Sequence, residues 1–343
     1  MVITPACHAG GRGFKSHRPR QKIKGSQKNT DSLFLCFQEQ LDFSAILRHI
    51  KQIMDYEGII IRPPSEAYSL LLQVTFGCSH NKCTFCGTYR EKKFKIKPIE
   101  KIKNDILEAS SYGCIEKVFL CDGDALIIPQ PRLEEILRMI NANIRGVKRI
   151  GTYANAKSIL KKTTAELTQL RELGLKIIYL GVETGNEELL KKIIKGVNYQ
   201  QLVEAGRRVK EAGIKLSVTV ILGLGGLEMS INHALDTARI LSDIDPDYAG
   251  ALTLMLVPQS PLYNDYMAGK FVLPDQFGFI RELQLIIANA NFTNCYFTSN
   301  HASNYLPVRA HLPREKEIVL DKISSVIDGK DLSRIRPEYL RGL

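Results

Sequence analysis

No apolar run in the 343 residues approaches the roughly 20 that a membrane-crossing helix needs, so no membrane partner is expected. A disulfide framework is missing too. Cys7, Cys36, Cys114, Cys121 and Cys295 are scattered without regular spacing, which points to a reduced, cytoplasmic compartment. The start of the chain does not resemble a secretory signal, because its basic residues are not followed by an apolar core and a small-residue cleavage site. No Walker lysine follows the glycine run at Gly223, Gly225 and Gly226, so a phosphate loop is not indicated there. What remains is 44% hydrophobic and 24% charged, the composition of an ordinary globular chain. Its length suits one large α/β barrel or two domains.

The formal charge of +11 is unevenly spread. Residues 1–53 hold nine Lys and Arg against three Asp and Glu, so more than half of the excess lies in the first sixth of the chain. Gly10–Lys24 has no apolar periodicity and is expected to lack a fold of its own. One reading is a basic RNA-binding arm. Another comes from back-translation. Pro5–Gly10 can be written CCC GCC UGU CAC GCG GGA, a stem CCCGC/GCGGG closing the loop CUGUCAC with anticodon GUC. Gly13–Ser16 can be written GGG UUC AAG UCC, which contains a transfer-RNA T-loop sequence. On this reading residues 1–53 translate a tRNA gene and spacer, and the protein starts at Met54. Genomic DNA without an overlapping tRNA gene would end the idea.

Ser69–Arg90, SLLLQVTFGCSHNKCTFCGTYR, organises the rest of the chain. An apolar run ends at Gly77, and Cys78, Cys83 and Cys86 follow within one loop. Three thiolates so close together can serve one soft metal centre. On a four-iron cluster they leave one iron without a protein ligand, and Phe85 can shield the flank. A zinc site would need a fourth ligand, for which His80 is the local candidate. A redox Cys-x-x-Cys would use Cys83 and Cys86 and leave Cys78 idle. The loop resembles that of the radical S-adenosylmethionine (radical SAM) superfamily, with one residue more than the usual Cys-x3-Cys-x2-Cys. That resemblance implies a [4Fe-4S] cluster on Cys78, Cys83 and Cys86, and SAM bound at the open iron.

After the loop, apolar β-rich runs at Lys117–Cys121, Arg149–Tyr153, Lys176–Gly181, Lys215–Leu222 and Ala249–Leu256 alternate with amphipathic stretches. Gly113, Gly174 and Gly213 are suited to cap three of those helices. With Ser69–Phe76 this gives six βα units, a parallel sheet, and an α/β fold of the partial (βα)6 TIM-like barrel type, the core fold of the family resembled. A doubly wound open sheet is the alternative. The expected division is a core over residues 54–262 and a C-terminal helical extension, residues 263–343, closing the barrel.

Chemistry in such folds gathers at the C-terminal ends of the strands. Asp122, Gly123 and Asp124 end the second strand where the family commonly has Gly-Gly-Glu, and by resemblance would receive the amino group of SAM. Thr152 and Asn155 end the third, as contacts for SAM's ribose or carboxylate. Glu183, in the stretch GVETGNE, resembles a SAM-contacting glutamate of the branch with oxygen-independent coproporphyrinogen oxidases and tRNA methylthiotransferases. Asn186 is a suitable N-cap for the helix that follows. By the same resemblance Ile221, Leu222 and Gly223 lie against the adenine. The Pro258–Pro261 loop is expected near the substrate. In the extension, FTSNHASNYLPVRAHLP reads as an irregular loop, with His301 and Tyr305 as candidate catalytic proton or hydrogen-atom partners.

No second cysteine cluster follows the barrel, which argues against methylthiotransferases and other auxiliary-cluster branches. No cobalamin or RNA-binding domain is evident. The expected activity is reductive cleavage of SAM to a 5′-deoxyadenosyl radical acting on an unidentified substrate, with a flavodoxin or ferredoxin as reductant and no nucleic-acid partner. The rivals are a non-catalytic iron–sulfur electron carrier or sensor, and a tRNA-binding or tRNA-modifying protein whose basic leader is genuine.

Overall fold

A parallel sheet rolled into an incomplete barrel carries the site. The structure, a computed structural model, describes residues 54–342. The leader, the start at Met54 as a boundary with it, Cys7 and Cys36 lie outside the described residues. The strands are β1 (Leu70–Gln73), β2 (Thr75–Phe76), β3 (Lys95–Ile96), β4 (Lys117–Cys121), β5 (Arg149–Ala154), β6 (Leu175–Glu183), β7 (Lys215–Leu222), β8 (Tyr248–Thr253), β9 (Cys295–Thr298) and β10 (Arg309–Leu312). Eight of them form one sheet in the order β1-β4-β5-β6-β7-β8-β9-β10. All neighbours are parallel except β9 and β10. β2 and β3 pair with each other as a small antiparallel ladder beside the cysteine loop.

The helices are α1 (Ile99–Ala109), α2 (Gln130–Asn143), α3 (Ala156–Leu160), α4 (Thr164–Glu172), α5 (Glu187–Lys192), α6 (Tyr199–Glu211), α7 (Ser230–Ile244), α8 (Pro261–Met267), α9 (Gln276–Asn289) and α10 (Lys316–Gly329). Their ends follow from local chemistry. Thr163 with Glu166, and Asn198 with Gln201, form capping boxes at the starts of α4 and α6. Gly113, Gly174 and Gly213 all take positive φ, as their positions after helices suggested.

The six expected parallel strands are present. The extension differs from its expected helical character, because β9 adds a seventh parallel strand and β10 an antiparallel edge. CYFT and RAHL are each four residues, too short to display a period against the surrounding polar loop. The extension also shares the main core: Phe279, Leu283, Phe297, Ile323 and Val326 are buried in the same cluster as Val118, Ile178 and Val218. Pro63 and Pro64 lead into a single 3-10 turn, Pro64–Glu66, in the otherwise extended approach to β1.

The sheet has two unlike faces. Alternation along β7 buries Leu216, Val218, Val220 and Leu222 against the helices, and leaves Ser217, Thr219 and Ile221 half-buried on the inner face. Phe119, Tyr153 and Tyr179 fill the inner face of β4–β6 with edge-to-face ring contacts at 5.0–6.0 Å. Among the described residues no helix is long and apolar enough to cross a membrane.

Candidate functional site

Cys78, Cys83 and Cys86 are free, half-buried thiols on the loop that leaves β2. Backbone N–H groups of Asn81 and His80 donate to the Cys78 sulfur, although burial still holds that thiol above its ordinary pKa. Burial pushes the Cys83 thiol up to about 11, with Lys195 pulling the other way. Buried thiols of this kind become thiolates when a metal centre supplies the counter-charge. Among the described residues no three His, Cys, Asp or Glu side chains converge as ligands of a single ion would. His80 is not a fourth ligand in waiting, since its Nε2 faces the Ile194 carbonyl at 2.6 Å. The donor set therefore suits a cluster whose three thiolates bind three different irons better than one zinc ion.

The loop is braced by the end of β4. Asp122 accepts hydrogen bonds from the Tyr89 hydroxyl at 2.7 Å and from the Gly77 N–H at 3.2 Å, and pairs with Lys92 at 3.3 Å. Asp124 accepts from Ser158 at 2.6 Å, from Asn155 at 2.7 Å and from Ser79. Burial nevertheless pushes Asp124 up to about 6. Both carboxylates are wholly buried, and their oxygens hold the cysteine loop. Only Gly123 between them retains accessible surface. A Cβ there would lie 2.7 Å from the Tyr89 ring and 3.2 Å from Cys78 Cβ, so glycine lets this turn press against the loop.

Thr152 and the half-buried Asn155, at the end of β5, also make hydrogen bonds within the protein. Thr152 is buried and its hydroxyl donates to the Leu120 carbonyl at 3.3 Å. Asn155 caps α3 by accepting from the Ser158 N–H, and its amide donates to Ser79 and Asp124. Leu222 points into the helix layer, while Ile221 packs with Phe85, Ile193, Leu224, Leu254 and Leu262 beside the cysteine loop. The 254–260 loop belongs to that packing. Val257 presses on Gly87, and Leu262 donates its N–H to the Thr84 carbonyl at 3.0 Å, so this loop lies against the cysteine loop.

Glu183 ends β6 with φ +69°, a left-handed conformation that costs a non-glycine residue about 1 kcal/mol or more. It is held there by Lys195, whose Nζ lies 2.8 Å from Oε1, both side chains being 11% exposed. Burial opposes the lysine's charge, yet Glu183 and Cys83 raise its pKa above the ordinary value. A Cβ on Gly181 would meet Glu183 Oε1 at 2.2 Å, so the carboxylate folds back over a glycine. Lys195 was not singled out in the sequence. The lysine-rich α5 hid it, and only the return of the chain past α5 brings it back to Glu183.

Behind Glu183 lies a buried polar layer. His233 joins the Thr184 hydroxyl (2.8 Å) to the Ile221 carbonyl (2.9 Å), and burial drops its pKa to about 4. Glu282 on α9 accepts from the Gly223 N–H and the Ser230 hydroxyl, each at 2.6 Å, and burial pushes it up to about 7. Gly223 is thus anchored from the extension. Asn186 caps α5 as expected, by accepting from the Leu189 N–H.

Tyr305 is buried, in the loop between β9 and β10. It sits in the core on the helix side of the sheet, 5.7 Å from the Phe279 ring, and its hydroxyl is shared between Glu338 and Arg341 at 2.5 Å. His301 is half-buried and bonds to Ser303 within its own loop. Cys121 and Cys295 are buried and Cys114 is exposed, so none of the three joins the cysteine loop.

The profile of the radical SAM superfamily matches residues 72–239, from β1 into α7. This chain is a radical SAM superfamily protein. Radical SAM proteins use a [4Fe-4S] cluster and SAM, and need an electron donor and a substrate. The heme chaperone HemW of Bacillus subtilis is 23% identical over 58% of this chain and 54% of its own length. A biotin synthase of Rickettsia felis is 28% identical over 57% of this chain and 62% of its own length. The chain thus spans under two thirds of either curated relative. The solved coproporphyrinogen III oxidase HemN of Escherichia coli, a radical SAM enzyme, superposes with a TM-score of 0.48 at 16% identity, over 64% of this chain and 51% of that one.

Proposed function

We propose that this chain is a radical SAM enzyme in which Cys78, Cys83 and Cys86 hold a [4Fe-4S] cluster with one iron left for SAM. The observation that carries the reading is the meeting of two features at one end of the barrel. Three half-buried free thiols sit on a braced loop, and the Glu183–Lys195 pair stands beside them. When bound, the cluster and SAM supply a 5′-deoxyadenosyl radical by reductive cleavage of SAM, and this radical takes hydrogen from a substrate still to be identified.

The chain's own residues supply binding, orientation and exclusion of water. Asp122 and Asp124 fix the loop so that the three sulfurs keep their positions. Phe85 and Ile221 line the apolar wall that keeps water from the loop. Gly123 opens the backbone of its turn to a ligand's ammonium group. Lys195 carries a permanent positive charge that balances thiolates or a ligand carboxylate. Glu183 keeps one oxygen beyond the lysine for a ligand donor. Gly223, tied to Glu282, fixes the turn beside Ile221 where a planar base would rest. An electron donor of the flavodoxin or ferredoxin class and a reducing, cytoplasmic compartment suit such a centre.

Anaerobically purified protein should contain iron and sulfide in equal amounts. Its reduced paramagnetic resonance spectrum should change when SAM is added. Each of Cys78→Ala, Cys83→Ala and Cys86→Ala should lose the cluster. Retention of the full iron content by any one of them would remove that cysteine from the ligand set.

A further inference from the structure

The inner face of the sheet is filled on one side and open on the other. Strand register lays out the open side in rows. One row runs Tyr179, Ser217, Tyr248, Tyr296 and His311, each directly opposite the next. The row nearer the cysteine loop runs Gly181, Thr219, Gly250, Thr298 and Arg309. The second row begins at Gly181, over which the Glu183 carboxylate folds. It is made of small residues, and a Cβ built on Gly250 would meet nothing nearer than 3.9 Å. The first row is its floor, where Tyr296 and His311 stack at 4.7 Å.

Hydrogen bonding separates this patch from the helix side. Among the described residues, the hydroxyls of Ser217, Thr219, Tyr248, Tyr296 and Thr298 make no hydrogen bond to protein; Tyr248 is exposed and the other four are half-buried, so water reaches them. The polar groups on the helix side are tied up: His233 to Thr184, Glu282 to Gly223 and Ser230, Asn304 to Thr253. Half-buried hydroxyls along an open row of small residues can exchange water for the acceptors of a bound ligand. Arg309 closes the row. Ala310 and Leu312 are buried in the main core, so Arg309 and His311 belong to the inner face, where both are exposed, and among the described residues no carboxylate pairs with Arg309. A guanidinium beside unpartnered hydroxyls suits a carboxylate or a phosphate.

We infer that the row from Gly181 to Arg309 binds the substrate, and that this substrate is a small organic anion whose carboxylate or phosphate pairs with Arg309. The inference rests on the proposed function for its meaning, since it puts the substrate next to Glu183. Its test does not depend on turnover.

The reconstituted full chain, held anaerobically with SAM, is titrated with benzoate, phenyl phosphate and the neutral benzamide, and binding is followed by ligand-observed NMR. Either anion should bind in the millimolar range and benzamide should not. The better of the two tells carboxylate from phosphate. Arg309→Gln should weaken anion binding about tenfold, Arg309→Lys by less, and Thr298→Val a few-fold. The inference is overturned if neither anion binds, if benzamide binds as well as they do, or if Arg309→Gln binds the anions as tightly as the parent. SAM binding measured in the same samples separates the two readings. A chain that binds anions and not SAM loses the proposed function, and one that binds SAM and not anions loses this inference.

Discussion

The two faces of the sheet treat polar side chains in opposite ways. On the helix side and in the braces around the cysteine loop, every polar group described above is buried and partnered: Asp122 with Tyr89 and Lys92, Asp124 with Ser79 and Asn155, Glu282 with Gly223. On the inner face of β7–β9 the hydroxyls are half-buried or, at Tyr248, exposed, and none bonds to protein. A buried polar group with partners belongs to the architecture, and a sheltered one without them is available to a ligand. The distinction also explains which sequence-based site residues moved. Thr152, Asn155, Asp122 and Asp124, at strand ends, and Tyr305, in the loop between β9 and β10, all have protein partners. Glu183 has a partner and keeps surface.

That contrast can be broken or sharpened by substitution. The largest effect is expected from Lys195→Met, which strands the Glu183 carboxylate in a nearly buried position. Chemical denaturation should show a loss of about 3–5 kcal/mol, with SAM binding lost as well. Asp124→Ala removes an acceptor shared by donors on three residues and should cost about 2–3 kcal/mol, read in the same way, together with a lower iron content after reconstitution. A fully stable Asp124→Ala with full iron would show that the brace is dispensable.

Glu282 gives a pH signature. Its folded pKa, about 7, is raised above the ordinary carboxylate value, so the fold holds this proton more tightly than the unfolded chain does. The stability it contributes is present at low pH and lost as pH rises through about 7. His233, lowered to about 4, acts in the opposite sense between there and its ordinary value of 6.5. The Glu282 loss therefore stands alone above that window. Between pH 6.5 and 8 the parent should lose about 1 kcal/mol that Glu282→Gln does not, in melts at a series of pH values.

Tyr305→Phe should cost about 1 kcal/mol in a thermal melt, the value of one hydroxyl in a network, and leave SAM cleavage unchanged. A dead Tyr305→Phe enzyme would return Tyr305 to the site. The smallest effect is expected on the inner face itself. Thr219→Val should leave stability within about 0.5 kcal/mol of the parent, because no protein partner is lost.

Much of the barrel was legible in the sequence because its strands are five to nine residues of apolar pattern and its helices end at glycines or begin at good caps. Asn186 and Gly213 needed only local chemistry to be placed. The cysteine spacing and Glu183 after its strand were visible for the same reason. Facing was not legible. Ile221 and Leu222 are adjacent and equally apolar, and only pairing with neighbouring strands sends one to the cysteine loop and the other to the helices. Partnering was not legible either, since Asp122 meets Gly77 and Asp124 meets Ser79 across 45 residues of chain. The extension's strands were hidden by their brevity, and with them Arg309.

The central claim is an open iron on three cysteines beside Glu183 and Lys195. Its most direct test is anaerobic reconstitution with iron and sulfide, followed by dithionite and SAM, with 5′-deoxyadenosine measured by mass spectrometry. The expected result is 5′-deoxyadenosine from the parent and none from Cys83→Ala. A parent that carries zinc, or a cluster that leaves SAM intact under these conditions, would contradict it.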